Sequence, residues 1–151
     1  MEINAVLKIK LITNNAKIPT KAYSNDAGWD LYSIESKSLY PFEFNLPANS
    51  GLVNVRTGIE VAISEGYYGQ VACRSSLGRR GIRVHPGVID SGFRGEISIF
   101  MQNLSSSFVE ICEGDKIAQL IILPIFTGGI EIVGELPGSE RGRNGFGSSG
   151  R

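Results

Sequence analysis

The stretch VNVRTGIEVAI, residues 53–63, sets apolar side chains at Val53, Val55, Ile59, Val61 and Ile63, with Asn54, Arg56 and Glu60 between them. Period two marks a strand with one face buried and the other wet. Similar short segments recur at 5–12, 29–34, 67–73, 96–103 and 107–112, separated by turn-forming clusters such as Pro47-Ala48-Asn49-Ser50-Gly51. Many short strands with turn signals between them predict a β-sandwich or barrel. The run KIAQLIILPIF, 116–126, is nearly all apolar, so as a strand it is expected to be covered on both faces. No segment sustains a long helical stripe, although a loop has room for a helix of one or two turns. The fold class read from these patterns is all-β.

A length of 151 residues suits one domain with a single core. Fifteen basic and fifteen acidic residues give a formal net charge of zero, which argues against a nucleic-acid partner held through its phosphate backbone. A small anion held by a few local arginines stays open. Cys73 and Cys112 are far apart with no C-x-x-C spacing, so neither a zinc site nor a disulfide framework is expected, and a reducing, cytoplasmic compartment fits. The N-terminus lacks the apolar stretch of a signal peptide, and no run approaches the ~20 residues of a membrane span.

GSERGRNGFGSSGR, 138–151, departs from the rest: a single aromatic, Phe146, stands among glycines, serines and arginines. Such a segment cannot bury enough apolar surface to order itself. It reads either as a disordered tail or as a flexible Gly-rich arm that closes on a ligand, with arginine for charge, the aromatic for stacking and serine for hydroxyl donors. The chain therefore divides into a β domain, 1–137, and a C-terminal arm, 138–151.

Several constellations could carry chemistry. RSSLGRRG, 74–81, follows a strand-like segment and combines glycines that admit a close ligand, serine hydroxyls, and arginines that pair bidentately with phosphate oxygens. An ordinary basic loop has the same composition. In HPGVIDSGFRGEI, 85–97, which reads as a tight hairpin, Asp90 is either a turn residue, as Asp-Ser-Gly favours, or a general base for water. Asp30 in DAGWDL has a similar bland alternative at a strand edge. His85, the only histidine, has no carboxylate or nucleophile at a telling spacing and reads as a loop residue. Gln119 is the odd polar position in an apolar run, and a buried amide must find partners, structural or ligand.

Taken in order, DAGWDLYS (26–33), CRSSLGRRG (73–81), GVIDSGFRGE (87–96), GDKIAQLII (114–122) and RGRNGFGSSG (141–150) resemble the five motifs of the homotrimeric dUTPase family, across residues 26–150. Five motifs in the correct order are far more specific than any one alone. The resemblance implies a jelly-roll-like β-barrel, a threefold trimer with strand exchange and shared active sites, and hydrolysis of dUTP to dUMP and pyrophosphate by water attacking the α-phosphorus. It casts Asp90 as the base that activates that water. The backbone of Gly87, Val88 and Ile89 would read the uracil edge. Phe93, where the family commonly has tyrosine, would pack under the deoxyribose and exclude a 2′-hydroxyl. Arg74, Ser75, Ser76 and Gln119 would lie along the triphosphate, with Ser76 standing where glycine is common. From the arm, Arg141 would reach the β- and γ-phosphates, Phe146 would stack over uracil, and Gly147, Ser148 and Ser149 would cap the γ-phosphate. Mg2+ is the implied cofactor, riding on the triphosphate, with Asp30 contacting it through water. The location implied is cytoplasmic, or the host nucleus or cytoplasm for a viral source.

Two rival readings are testable on residues. The dCTP deaminase branch of the same superfamily resembles R-S-S-L and I-D-x-G-F as well, but its pattern has a glutamate where this chain has Phe100, and Glu96 lies four residues earlier, about 13 Å along a strand. A non-catalytic nucleotide-binding module would be expected to lose the water-activating carboxylate or the arm, and Asp90, Arg141 and Phe146 are all present.

Overall fold

The structure, a computed structural model, describes residues 7–42 and 51–145. Ten strands and one short helix succeed one another: β1 (Lys8–Leu11), β2 (Gly28–Tyr32), β3 (Lys37–Leu39), β4 (Leu52–Ala62), β5 (Tyr67–Ala72), α1 (Ser75–Arg79), β6 (Ile82–Val84), β7 (Gly87–Ile89), β8 (Glu96–Asn103), β9 (Val109–Ile111) and β10 (Lys116–Pro124). They form two four-stranded sheets, ordered β1-β4-β8-β6 and β2-β10-β5-β7, and a two-stranded sheet β3-β9. The all-β, jelly-roll-like expectation holds. No helix among the described residues is long and apolar enough to cross a membrane.

Alternation along the strands builds the core. On β4 the side chains of Val55, Ile59 and Val61 are buried, and on β8 those of Ile97, Ile99 and Met101; Leu31, Ile117 and Leu120 join them. β4 is long enough to need a correction in mid-course, and its register against β8 shifts between Arg56 and Glu60. Gly58 makes that bulge: its φ is +67°, and a Cβ there would stand 2.6 Å from Thr13 Oγ1 and 2.9 Å from Ala16 Cβ. Glu96 closes it by accepting from the Gly58 N–H (2.9 Å) and the Arg56 Nε (3.1 Å).

Two expectations need correction. Residues 85–97 are not a hairpin of paired strands: β7 pairs with β5, whereas β8 pairs with β4 and β6. The Asp90 turn instead carries the chain from one sheet to the other, and the local sequence could not show it because strand partners are chosen over long range. The run 116–126 is only partly covered on both faces. Ile117, Ala118 and Leu120 are buried, but Leu123, Ile125 and Phe126 are exposed: past Ile121 β10 keeps β5 but has outrun β2, and Ile125 and Phe126 lie beyond its end. From Ile125 to Gly145 every residue is exposed and none lies in a strand or helix, even though this stretch holds Phe126, Ile130, Ile132 and Leu136.

Candidate functional site

A polar cavity of about 260 Å3 opens at the junction of β2, β10 and the chain leaving β5, lined by Asp26, Gly28, Asp30, Arg74, Ser75 and Gln119 among others. Register explains the convergence. Gln119 on β10 lies opposite Asp30 on one side and Ala72 on the other, so the chain turning into α1 delivers Arg74 and Ser75 beside both. Four sequence-predicted residues, Asp30, Arg74, Ser75 and Gln119, therefore share one cavity.

Asp30 is the electrostatic hub. Its side chain is buried, and its two oxygens receive Arg74 Nε at 2.7 Å and Lys116 Nζ at 2.8 Å. The carboxylate, through the hydrogen bond first and charge attraction second, holds the Lys116 ammonium above the usual lysine range. With Nε committed to Asp30, Arg74 places Nη1 within 3.3 Å of Ser76 Oγ and 3.5 Å of the Lys116 carbonyl, so the planar guanidinium is fixed at several points. Ser76 lies on the far side of Arg74, in a neighbouring 370 Å3 cavity that also includes Arg80 and Lys116.

Gln119 resolves its polar position structurally: Nε2 donates to the Cys73 carbonyl at 2.9 Å, satisfying the amide N–H side. Its Oε1 lies over Gly28, where a Cβ would come within 2.2 Å. Gly28 and Lys116 went unassigned by sequence reasoning. A basic residue three positions before Gln119, and a glycine two positions before Asp30, carry no meaning until β2 and β10 are paired.

Asp90 is elsewhere. Its carbonyl accepts the Phe93 N–H at 3.0 Å, closing a β-turn over Asp90-Ser91-Gly92-Phe93. Ile89 lies opposite Gly69 on β5 and Gln119 opposite Ala72 on the other edge of the same strand. Two strand spacings and three residues of rise put them about 14 Å apart, and Asp90 continues away from the cavity. One chain thus does not bring Asp90 to the Arg74 cavity. β7 is the edge of its sheet, so part of the backbone of Gly87, Val88 and Ile89 faces away from β5 with no strand pairing among the described residues. Phe93 is 41% exposed. Arg141 is exposed and donates to the Asn144 carbonyl at 2.9 Å. Phe146, Gly147, Ser148 and Ser149 lie outside the described residues.

Glu96, the residue nearest in sequence to the deaminase position, is occupied by Arg56 and the Gly58 N–H, and Phe100 stands exposed on β8.

An all-β fold thus sets a carboxylate-braced arginine, a serine and an oriented amide around one small cavity, a donor set whose chemistry suits an anion. The dUTPase family model matches residues 14–150. The chain is 41% identical, over 96% of its length and 97% of the relative's, to the deoxyuridine 5'-triphosphate nucleotidohydrolase of Clostridium tetani. Among solved structures, it is similar to the dUTPase of Staphylococcus bacteriophage 80alpha with dUPNHPP (TM-score 0.85, 30% identity, 97% of this chain and 99% of that one). It is similar also to a variant of the dUTPase from phage phi11 of S. aureus, which coordinates a structural Mg(II) ion (TM-score 0.78, 28% identity, 88% and 99%). The chain belongs to the dUTPase family.

Proposed function

We propose that this protein hydrolyses dUTP to dUMP and pyrophosphate, keeping uracil out of DNA and supplying dUMP for thymidylate synthesis. The observation that carries the reading is the Asp30-braced Arg74 beside Ser75 and Gln119: a fixed cation, a hydroxyl and an amide in a cavity of triphosphate-oxygen chemistry. Arg74, Ser75 and Gln119 bind the triphosphate, with Ser76 at its margin. Asp90 takes the proton of the attacking water at the α-phosphorus. The open edge of β7 reads uracil through the main chain of Gly87, Val88 and Ile89, and Phe93 underlies the sugar. Residues 138–151 act as the closing arm, Arg141 meeting the outer phosphates, Phe146 stacking over the base, and Gly147, Ser148 and Ser149 capping the γ-phosphate.

The residues present fit Mg2+ arriving on the nucleotide. Asp26 and Asp30 offer hard oxygen donors at the cavity, and among the described residues no three His, Cys, Asp or Glu side chains cluster into a site of their own. Asp30 would hold the ion through water, and the ion would offset charge on the phosphate oxygens.

The active unit is a homotrimer with shared sites. This reading is supported by the about 14 Å between Ile89, next to Asp90, and Gln119 of one chain, a separation that a second copy's Asp90 would close. The exposed Phe126, Ile130, Ile132 and Leu136, and an apolar groove of about 620 Å3 lined by Ile9, Ile18, Trp29 and Ile122, are surfaces that a monomer leaves wet.

The test is pyrophosphate release with Mg2+ from dUTP, UTP, dTTP and dCTP, for wild type and Asp90→Asn. Turnover of dUTP alone, reduced about 100-fold or more by Asp90→Asn, is expected. Binding of dUTP without pyrophosphate release would instead make the protein a nucleotide-binding module.

A further inference from the structure

Gly95 has a backbone that any residue can adopt, since its φ is not in the left-handed region. What it lacks is room. A Cβ there would stand 2.7 Å from Cζ, 3.1 Å from Cε2 and 3.5 Å from Cε1 of Phe93, so the three nearest heavy atoms all belong to one ring. The outer edge of the Phe93 ring is seated directly on the Gly95 backbone. The main chain beneath it is tied down: the Phe93 N–H donates to Asp90 (3.0 Å), and Arg94 Nη1 donates to the carbonyls of both Ser91 and Phe93 at 2.7 Å. With the backbone held on both sides of the ring, a methyl at 95 can be accommodated only by rotation of the Phe93 side chain. The ring is 41% exposed, so rotation toward solvent is open to it.

We propose that Gly95 is a specificity-determining position, its missing side chain being the seat that holds the Phe93 ring at the height where it separates deoxyribose from ribose. Arg94 is a positioning residue that keeps the turn from yielding instead of the ring. The inference rests on the reading of Phe93 as the sugar gate, and the experiment separates the two.

The experiment measures kcat/KM for dUTP and for UTP in wild type, Phe93→Ala, Gly95→Ala and the double variant. Phe93→Ala is expected to lower the dUTP-over-UTP ratio, and Gly95→Ala to lower it about tenfold. On the Phe93→Ala background, Gly95→Ala is expected to change the ratio by less than about twofold, because the ring it disturbs is gone. A ratio unchanged in Gly95→Ala while Phe93→Ala lowers it, or a further fall in the double variant, overturns the proposal. A ratio that Phe93→Ala leaves untouched removes the sugar-gate reading itself. Should Gly95→Ala not fold, Phe93→Leu/Gly95→Ala carries the test: the shorter side chain clears the methyl, so its ratio should equal that of Phe93→Leu, and a lower one overturns the proposal.

Discussion

Replacing Gly28 by alanine tests whether β2 and β10 together aim the Gln119 amide. The added Cβ would lie 2.2 Å from Gln119 Oε1, 2.9 Å from Cδ and 3.0 Å from Cβ, and ordinary contact needs about 3.5 Å or more. The amide therefore has to leave its position by more than 1 Å, roughly, and its Nε2 loses the 2.9 Å bond to the Cys73 carbonyl. A lost hydrogen bond costs about 1 kcal/mol net, and a group left buried without a partner about 1–3. Alanine recovers about 0.5–1 through reduced chain entropy. A net loss of about 1–3 kcal/mol follows, which for a chain of this size lowers Tm by roughly 3–10 °C. On the proposed role of Gln119 at the triphosphate, loss of that one oriented group adds a fall of about 100-fold in kcat/KM for dUTP. Thermal unfolding and pyrophosphate release are measured for Gly28→Ala, Gln119→Ala and both together. Once Gln119 is truncated most of the obstruction is gone, so the second change should add less than about 0.5 kcal/mol. Full additivity, or a Gly28→Ala protein with wild-type Tm and rate, would refute the claim that glycine is there to make room for the amide.

Lys116 gives a pH signature with a definite sign. Its folded-state pKa is raised by Asp30, so the contribution of the pair is complete below the ordinary lysine value and is lost only as pH rises through the higher folded one, above about pH 10. Stability measured across that alkaline limb should fall in wild type, and the fall should be shallower in Lys116→Met. Gly58→Ala puts a side chain at φ +67° and 2.6 Å from Thr13 Oγ1; a loss of about 2–4 kcal/mol in urea unfolding is expected, with kcat per folded molecule unchanged.

How much of this was legible depended on the length of the pattern. β4 and β8 run for 11 and 8 residues, long enough for alternation to declare them; the segment at 67–73 covers β5, and that at 29–34 covers β2 except Gly28. β3, β6, β7 and β9 have three residues each, too few for any period; β9 was framed only because its neighbours in 107–112 share its character. α1, at five residues, is shorter than one cycle of an amphipathic stripe. The site divides along the same line. Arginine, serine and aspartate announce their chemistry as residue types, so Arg74, Ser75 and Asp30 could be singled out. The requirement for Gly28 and Gly95 is set by one side chain lying over a backbone, and the value of Lys116 by a carboxylate 86 positions away (116 − 30).

That division explains why a turn residue and a base are not competing readings of Asp90. The turn is satisfied by the Asp90 backbone carbonyl, which accepts from Phe93, and it leaves the carboxylate uncommitted by any hydrogen bond or ion pair among the described residues. At the Arg74 cavity the opposite holds: each oxygen of the Asp30 carboxylate is held by a cation. A carboxylate held between two cations is fixed in place and suits a brace; one held only by its backbone keeps its oxygens for water. The two aspartates therefore differ in commitment more than in kind. Within one chain the uncommitted carboxylate lies about 14 Å or more from the braced one's cavity, which is why the proposed hydrolysis is assigned to an assembly in which another copy's Asp90 meets that cavity.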